Sequence, residues 1–512
     1  MFGMIANKNM LPNNIFNRTL GNALFFIGLL IVLFIWAYWP AYQLQFRVEQ
    51  WAIYDYYQSL HYPASIKEWG HIAFWTPLGD YRFIPLAYLW NYLEFKLFGL
   101  NFAWYTTLSL SLYAFNALLL GWFAYLYNKE RTAAFWLTTV FALFLPSAME
   151  ITIWTFFSYK LFQMTLIIMA LIMLEKGITK RVSMYVLFSI LICFISTMFY
   201  EALALFLGYW ILRISCSTLK ARLALNLLCI LLIGLYLFGA WFFEQFFNLF
   251  GASPIAIPVE NLMQVLESLY QWIKYGWFLD NLGFWLEFRE NTRYITLHLL
   301  GPQKIHLLFV LLLWITLICA IRWSAVLWRQ IGLFSILLGL STVLILVGRT
   351  ATNGPDYLSH FSMYNYNAIV FISPILGTIF SSAWTNSNAN NIRTKLTILS
   401  LSLLTVLWIN VIRNGIETYI KSESIHISLM RLSNEIIKST KLPIVVIANK
   451  GPFEIPGLNL LYHALHLVHG DRVSDKIESL PNIYIDDSII NLLRDNPQIS
   501  SEDFKRFTLR GQ

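Results

Sequence analysis

Asp55 lies in the run Trp51-Ala52-Ile53-Tyr54-Asp55-Tyr56-Tyr57, a carboxylate set among rings. Aromatic neighbours strip water from a carboxylate, which favours a raised pKa and general-base behaviour. A solvated loop carboxylate or a helix cap is the plainer reading. Gly79-Asp80-Tyr81-Arg82-Phe83-Ile84-Pro85-Leu86 follows. Its Arg82 has the planar fork that suits a phosphate, although Asp80 could equally cap a helix and Arg82 reach for lipid headgroups. Glu150 follows Leu145-Pro146-Ser147-Ala148-Met149, Lys160 comes soon after, and Glu201 sits in Met198-Phe199-Tyr200-Glu201-Ala202-Leu203. Ionisable groups beside long apolar blocks are costly and point to function, with a salt bridge or helix-packing hydrogen bond as the competing account. A last cluster holds Arg349, Asp356, His360 and Tyr364-Asn365-Tyr366, in which a lone His is more often structural. No His/Cys metal spacing, phosphate loop or Gly-Xaa-Ser-Xaa-Gly elbow is found.

The elements that must position these residues are membrane helices. Of the 512 residues 58% are hydrophobic and 12% charged, about half the charged share of a soluble domain, and mean hydropathy is +0.58. The apolar residues fall in blocks of about 20, enough to cross a hydrocarbon core, without the alternation of membrane barrels. The N-terminal block leads into Tyr38-Trp39-Pro40-Ala41-Tyr42 rather than a small-residue cleavage site, so it reads as a retained span. Eleven spans are predicted, at about 22–39, 103–127, 132–149, 158–175, 182–199, 201–212, 223–243, 305–321, 330–348, 366–384 and 396–412. The fifth and sixth form a tight hairpin with Glu201 near its apex, which leaves the basic loops on both sides of it facing the cytoplasm.

Charge supports this topology. The cytoplasmic segments hold 14 Lys and Arg in 62 residues, whereas the outer segments before the tail hold 9 in 154. The net charge of +8 therefore reports membrane orientation and not nucleic-acid binding. Of 16 acidic residues before position 413, only Glu130 and Glu175 are cytoplasmic. Two outer loops are long. The first, about 40–102, contains an interfacial helix over Phe83–Leu100 with Asn91, Glu94 and Lys96. The second, about 248–304, carries Trp272, Trp277, Phe278, Phe284 and Trp285 among charges. The four cysteines lie outside the tail, which has no disulfide framework. Residues 413–512 are expected to be a small outer α/β domain, with helical spacing over Ile416–Lys438, strands at Leu442–Ala448 and Ile483–Ile485, and a helix at Leu458–Val468.

In this order the landmarks resemble the membrane module of GT-C glycosyltransferases, most of all the protein O-mannosyltransferases with tetratricopeptide tails and their bacterial relatives. The likeness rests on four stretches: Asp55 in the first outer loop; Tyr81-Arg82…Pro85-Leu86 with Leu97-Phe98-Gly99-Leu100-Asn101; Leu145-Pro146…Glu150-Ile151…Trp154; and Tyr200-Glu201-Ala202. The resemblance implies an all-α polytopic fold of about eleven helices in residues 1–412. It implies an inverting hexosyltransferase that moves a sugar from a polyprenyl-phosphate carrier to a hydroxyl of a surface glycan, lipid-linked glycan or protein. It also implies a bacterial inner membrane with the tail in the periplasm. Asp55 would be the base, with Glu150 orienting the acceptor; in a metal-dependent form the two would hold a divalent cation, Mg or Mn. Asp80, Arg82, Lys160, Glu201, Arg349, His360 and Tyr364 would line the donor and acceptor sites. The competing function is a multi-span transporter or lipid flippase, and after it a noncatalytic scaffold.

Overall fold

The computed structural model describes residues 13–46, 49–60, 65, 68–69, 72, 84–128, 131–180, 182–199, 234, 238, 262–271, 285–290, 293–298, 304–321, 323–353, 362–384, 392–422, 424–439, 444–448, 461–474, 482–485 and 500. Helix dominates. α1 (Asn13–Tyr38) ends in a 3-10 turn over Trp39–Gln43. Pro40 there supplies no N–H and ends the helical ladder. α2 (Glu49–Ser59) and α3 (Pro85–Phe98) follow within the first loop. Next come α4 (Phe102–Tyr127), α5 (Thr132–Phe144), the short α6 (Met149–Ile153), α7 (Ser158–Lys180) and α8 (Ser183–Thr197).

Beyond these lie α9 (Leu262–Gln271), the antiparallel hairpin of β1 (Trp285–Glu290) and β2 (Arg293–His298), α10 (Lys304–Ala320), α11 (Ala325–Asn353), α12 (Ser362–Trp384) and α13 (Ile392–Ser422). The tail adds α14 (Ser424–Ser439), β3 (Ile444–Ala448), α15 (Leu461–His469), β4 (Val473–Ser474) and β5 (Asn482–Ile485). Its three strands form a parallel sheet in the order β4-β3-β5.

By length and composition, four described helical segments can cross a membrane: Leu24–Gln43, Phe102–Tyr127, Thr155–Lys180 and Lys395–Ile420. The Thr155–Lys180 segment is 78% buried and the Leu24–Gln43 segment 28%. The former is therefore the bundle's centre and the latter its periphery. α4 and α8 pack on this centre, α5 and α12 pack on each other and on α4, and Asn116 donates to Leu161 O and to Tyr366 Oη across the bundle.

The span expected over 132–149 is instead broken. α5 ends at Phe144, and the segment Pro146–Ile153 leaves it at 58°. Leu145 is extended and Pro146 cannot donate to the ladder, so the helix stops where the ring would clash with the preceding turn. The expected spans at 201–212 and 223–243 lie outside the described residues. The hairpin within 285–298 was not expected: Trp285 stands on a strand, whereas Trp272, Trp277, Phe278 and Phe284 lie outside the described residues. α13 also runs past 412, the end expected for the last span. Ile412, Ile416 and Tyr419 continue its buried stripe at helical spacing, and Arg413 pairs with Glu417 one turn on at 3.0 Å.

Candidate functional site

α2 is built to be seated. Gln50, Ile53, Tyr54 and Tyr57, at spacings of three and four, are all buried and form one face. That face packs on rings: Tyr54 stacks on Phe95 at 5.1 Å, Tyr57 meets Tyr92 edge-on at 5.4 Å, and Phe46 closes on Tyr54 at 5.1 Å. Such pairs add about 0.5–1.5 kcal/mol each beyond burial. Burial, above all, pushes the Tyr54 and Tyr57 hydroxyls well above the usual phenol range. Polar ties then fix the helix ends. Lys96 Nζ donates to the carbonyls of Tyr57 and Leu60, 3.0 Å each, where a cation suits the C-terminal end of a helix. Gln50 Nε2 donates to Thr155 Oγ1 at 3.0 Å, which joins α2 to the start of the Thr155–Lys180 segment.

Asp55 sits at the edge of this face, and its side chain is 11% exposed. Both carboxylate oxygens meet imidazoles from α15: His463 Nδ1 is 2.9 Å from Oδ2, and His466 Nδ1 is 2.6 Å from Oδ1. A carboxylate can only accept, so both Nδ1 atoms carry hydrogen. Two charge-assisted bonds thus satisfy a carboxylate that burial alone would leave bare.

α15 presents His463 and His466 because a spacing of three puts them on one helix face, while Ala464, Leu465 and Leu467 are buried, Leu467 in the same apolar core as Ile53, Tyr54 and Tyr57. His469, one further turn on, faces the tail, where its Nε2 donates to Asn434 Oδ1 at 2.8 Å. Burial, followed by the charges of Arg472 and Lys438, holds the His469 pKa below its ordinary value.

Neither histidine was among the expected site residues. Their signal was present: the nine-residue stretch Leu461–His469 carries a histidine at every third position from 463. Asp55 was expected, and the partners that engage it were not.

Glu150 lies in α6 just after the break and is fully buried; Lys160 opens α7, is 5% exposed and lies over the Phe157 ring at 4.5 Å. Glu94 on α3 is also buried, and its Oε1 accepts from Trp90 Nε1 and Ser158 Oγ, each at 2.6 Å. Burial pushes its pKa up to about 8, against the weaker opposing effect of those two donors. Ser158 lies between Lys160 and Thr155, so α2, α3 and the segment 146–160 converge on one region.

Of the other expected residues, Asp80, Arg82, Glu201 and His360 lie outside the described residues, and Arg349 and Tyr364 are placed on α11 and α12 by their backbone alone. Among the described residues, no group of three His, Cys, Asp or Glu side chains is arranged to hold a metal ion. Comparison with protein-family models, curated proteins and solved structures found no match to this chain.

Proposed function

We propose that this chain is a membrane glycosyltransferase that moves a sugar from a polyprenyl-phosphate carrier to an acceptor hydroxyl on the non-cytoplasmic face. In this reading the whole chain makes eleven spans, and the first loop and the tail share that face. The observation that carries the reading is the seating of Asp55: a nearly buried carboxylate, on a helix that follows a span, with an imidazole Nδ1 on each oxygen. A donor anchored in the bilayer brings its sugar–phosphate bond to the end of a span, so a base is needed there, close to the lipid surface. Glycosyl transfer also needs positive charge at the departing phosphate. Lys160 is assigned to that role, and Arg82 and Arg349 with it. Glu150 and Glu201 are assigned to the acceptor, with Asp80, His360 and Tyr364 completing the subsites.

A second reading, a transporter or lipid flippase, draws on the bend at Pro146. Broken helices with ionisable groups near the break are how transporters build binding sites, and Glu150 is buried just past this one. A single experiment separates the two. Membranes from cells making the chain are given undecaprenyl phosphate-[14C]glucose or -[14C]mannose, and label is followed into material that resists extraction as the donor. Covalent transfer that depends on the chain supports the enzyme. Movement of the intact donor across vesicles without transfer supports the transporter.

A further inference from the structure

We infer that the general base of this site is an imidazole of the tail, His463 or His466, and that Asp55 is a positioning residue which orients it. The inference rests on the glycosyltransferase reading and names the group that takes the proton. Asp55 is poorly placed to take it. Its side chain is 11% exposed, and each oxygen is already engaged by an Nδ1, at 2.9 and 2.6 Å. The imidazoles are the accessible members of the set, at 35% and 29% exposure.

With Nδ1–H donated to a carboxylate, a neutral imidazole carries its lone pair on Nε2. A carboxylate that fixes the tautomer and stabilises the imidazolium is the standard way a histidine is made into a base. The spacing of the pair fits this role as well. Residues three apart on α15 reach the two oxygens of one carboxylate, so a single side chain of α2 orients both rings.

The step balances as follows. The acceptor oxygen bonds to the anomeric carbon as the bond from that carbon to the phosphate oxygen breaks, and its electron pair leaves with the polyprenyl phosphate. The acceptor proton passes to Nε2, the resulting imidazolium is stabilised by Asp55, and the proton is then released to water. The consequence is that the tail completes the site: the first loop holds the carboxylate and α15 brings the base.

The test uses the full-length chain in membranes with undecaprenyl phosphate-[14C]glucose and -[14C]mannose, and compares His463→Gln, His466→Gln, His463→Gly, His466→Gly and Asp55→Asn. Gln keeps an N–H able to donate to Asp55 and lacks a basic nitrogen. The expected result is a loss of about 100-fold or more for Gln at the base position, with added imidazole restoring transfer to the Gly variant at that same position. Both Gln variants keeping more than a third of wild-type transfer while Asp55→Asn is inactive would make Asp55 itself the base and overturn the inference. Loss without imidazole rescue, in variants that reach the membrane and elute as wild type does, would also overturn it by leaving the histidines a purely structural role. A wild-type chain that transfers neither sugar, when a known glycosyltransferase in parallel membranes does, sinks the glycosyltransferase reading and this inference with it.

Discussion

Glu94 Oε1 already accepts from Trp90 and Ser158, so the proton that burial keeps on the group belongs on Oε2. An ordinary glutamate in an unfolded chain releases that proton near 4.5, and this one holds it to about 8. Between those values the folded state binds a proton that the unfolded state has lost. The stability contributed by the group is therefore full below about 4.5 and is lost as pH rises through about 8. The unfolding midpoint of the purified protein in detergent should fall between pH 5 and pH 9. Glu94→Gln, which keeps the acceptor and cannot titrate, should fall less, by about 2–4 °C; parallel curves for the two proteins would show that Glu94 is not the group responsible.

At this scale the sequence was informative where chemistry and neighbourhood coincide. Asp55 stood out because its aromatic neighbours adjoin it in the chain. His463 and His466 did not, because the carboxylate they engage is 408 and 411 positions away, and nothing local to a histidine reports so distant a partner.

Helix packing sets the next constraint, most tightly where α12 crosses α5. A methyl group added at Gly377 would strike the Thr138 hydroxyl and lie 2.8 Å and 2.9 Å from that residue's backbone N and Cα. Backbone on that side cannot move as a flexible side chain would, so Gly377→Ala is expected to cost about 1–3 kcal/mol through overpacking. Gly332 in α11 meets nothing within 4 Å, so Gly332→Ala should be neutral or slightly stabilising. Thermal unfolding of the two variants in detergent checks the pair: equal midpoints would mean that α5 and α12 do not approach so closely. α2 is held by different means. Lys96→Met removes the cation from its C-terminal carbonyls and should speed amide exchange over residues 55–60 while leaving the protected core of α7 unchanged. Element types were legible in the sequence wherever an apolar block was long, as in α4 and α13. The bend at Pro146 was not, because the apolar pattern continues across it and only backbone geometry breaks the span.

At the scale of the whole molecule, Arg413 and Asp55 both join distant parts of the chain. Arg413 Nη1 donates to Trp36 O at 3.0 Å, and its guanidinium lies over the Trp36 ring at 4.2 Å, so the C-terminal ends of α1 and α13 lie together. The segment after α1 and the tail after α13 therefore begin at one face of the bundle. The contacts from His463 and His466 to Asp55 follow from that arrangement, since tail and first loop must meet if they emerge side by side. Gln45, just beyond the Leu24–Gln43 segment, is exposed, and so is Glu435 in α14. In a cysteine-free background, Gln45→Cys and Glu435→Cys should both react with a membrane-impermeant maleimide added to one side of intact cells or spheroplasts, and neither should react from the other side. Labelling from opposite sides would break the parallel pairing of α1 and α13, and with it any site shared between Asp55 and the tail. Labelling of both from the outside would place that shared site where a carrier-linked sugar meets an acceptor outside the cytoplasm.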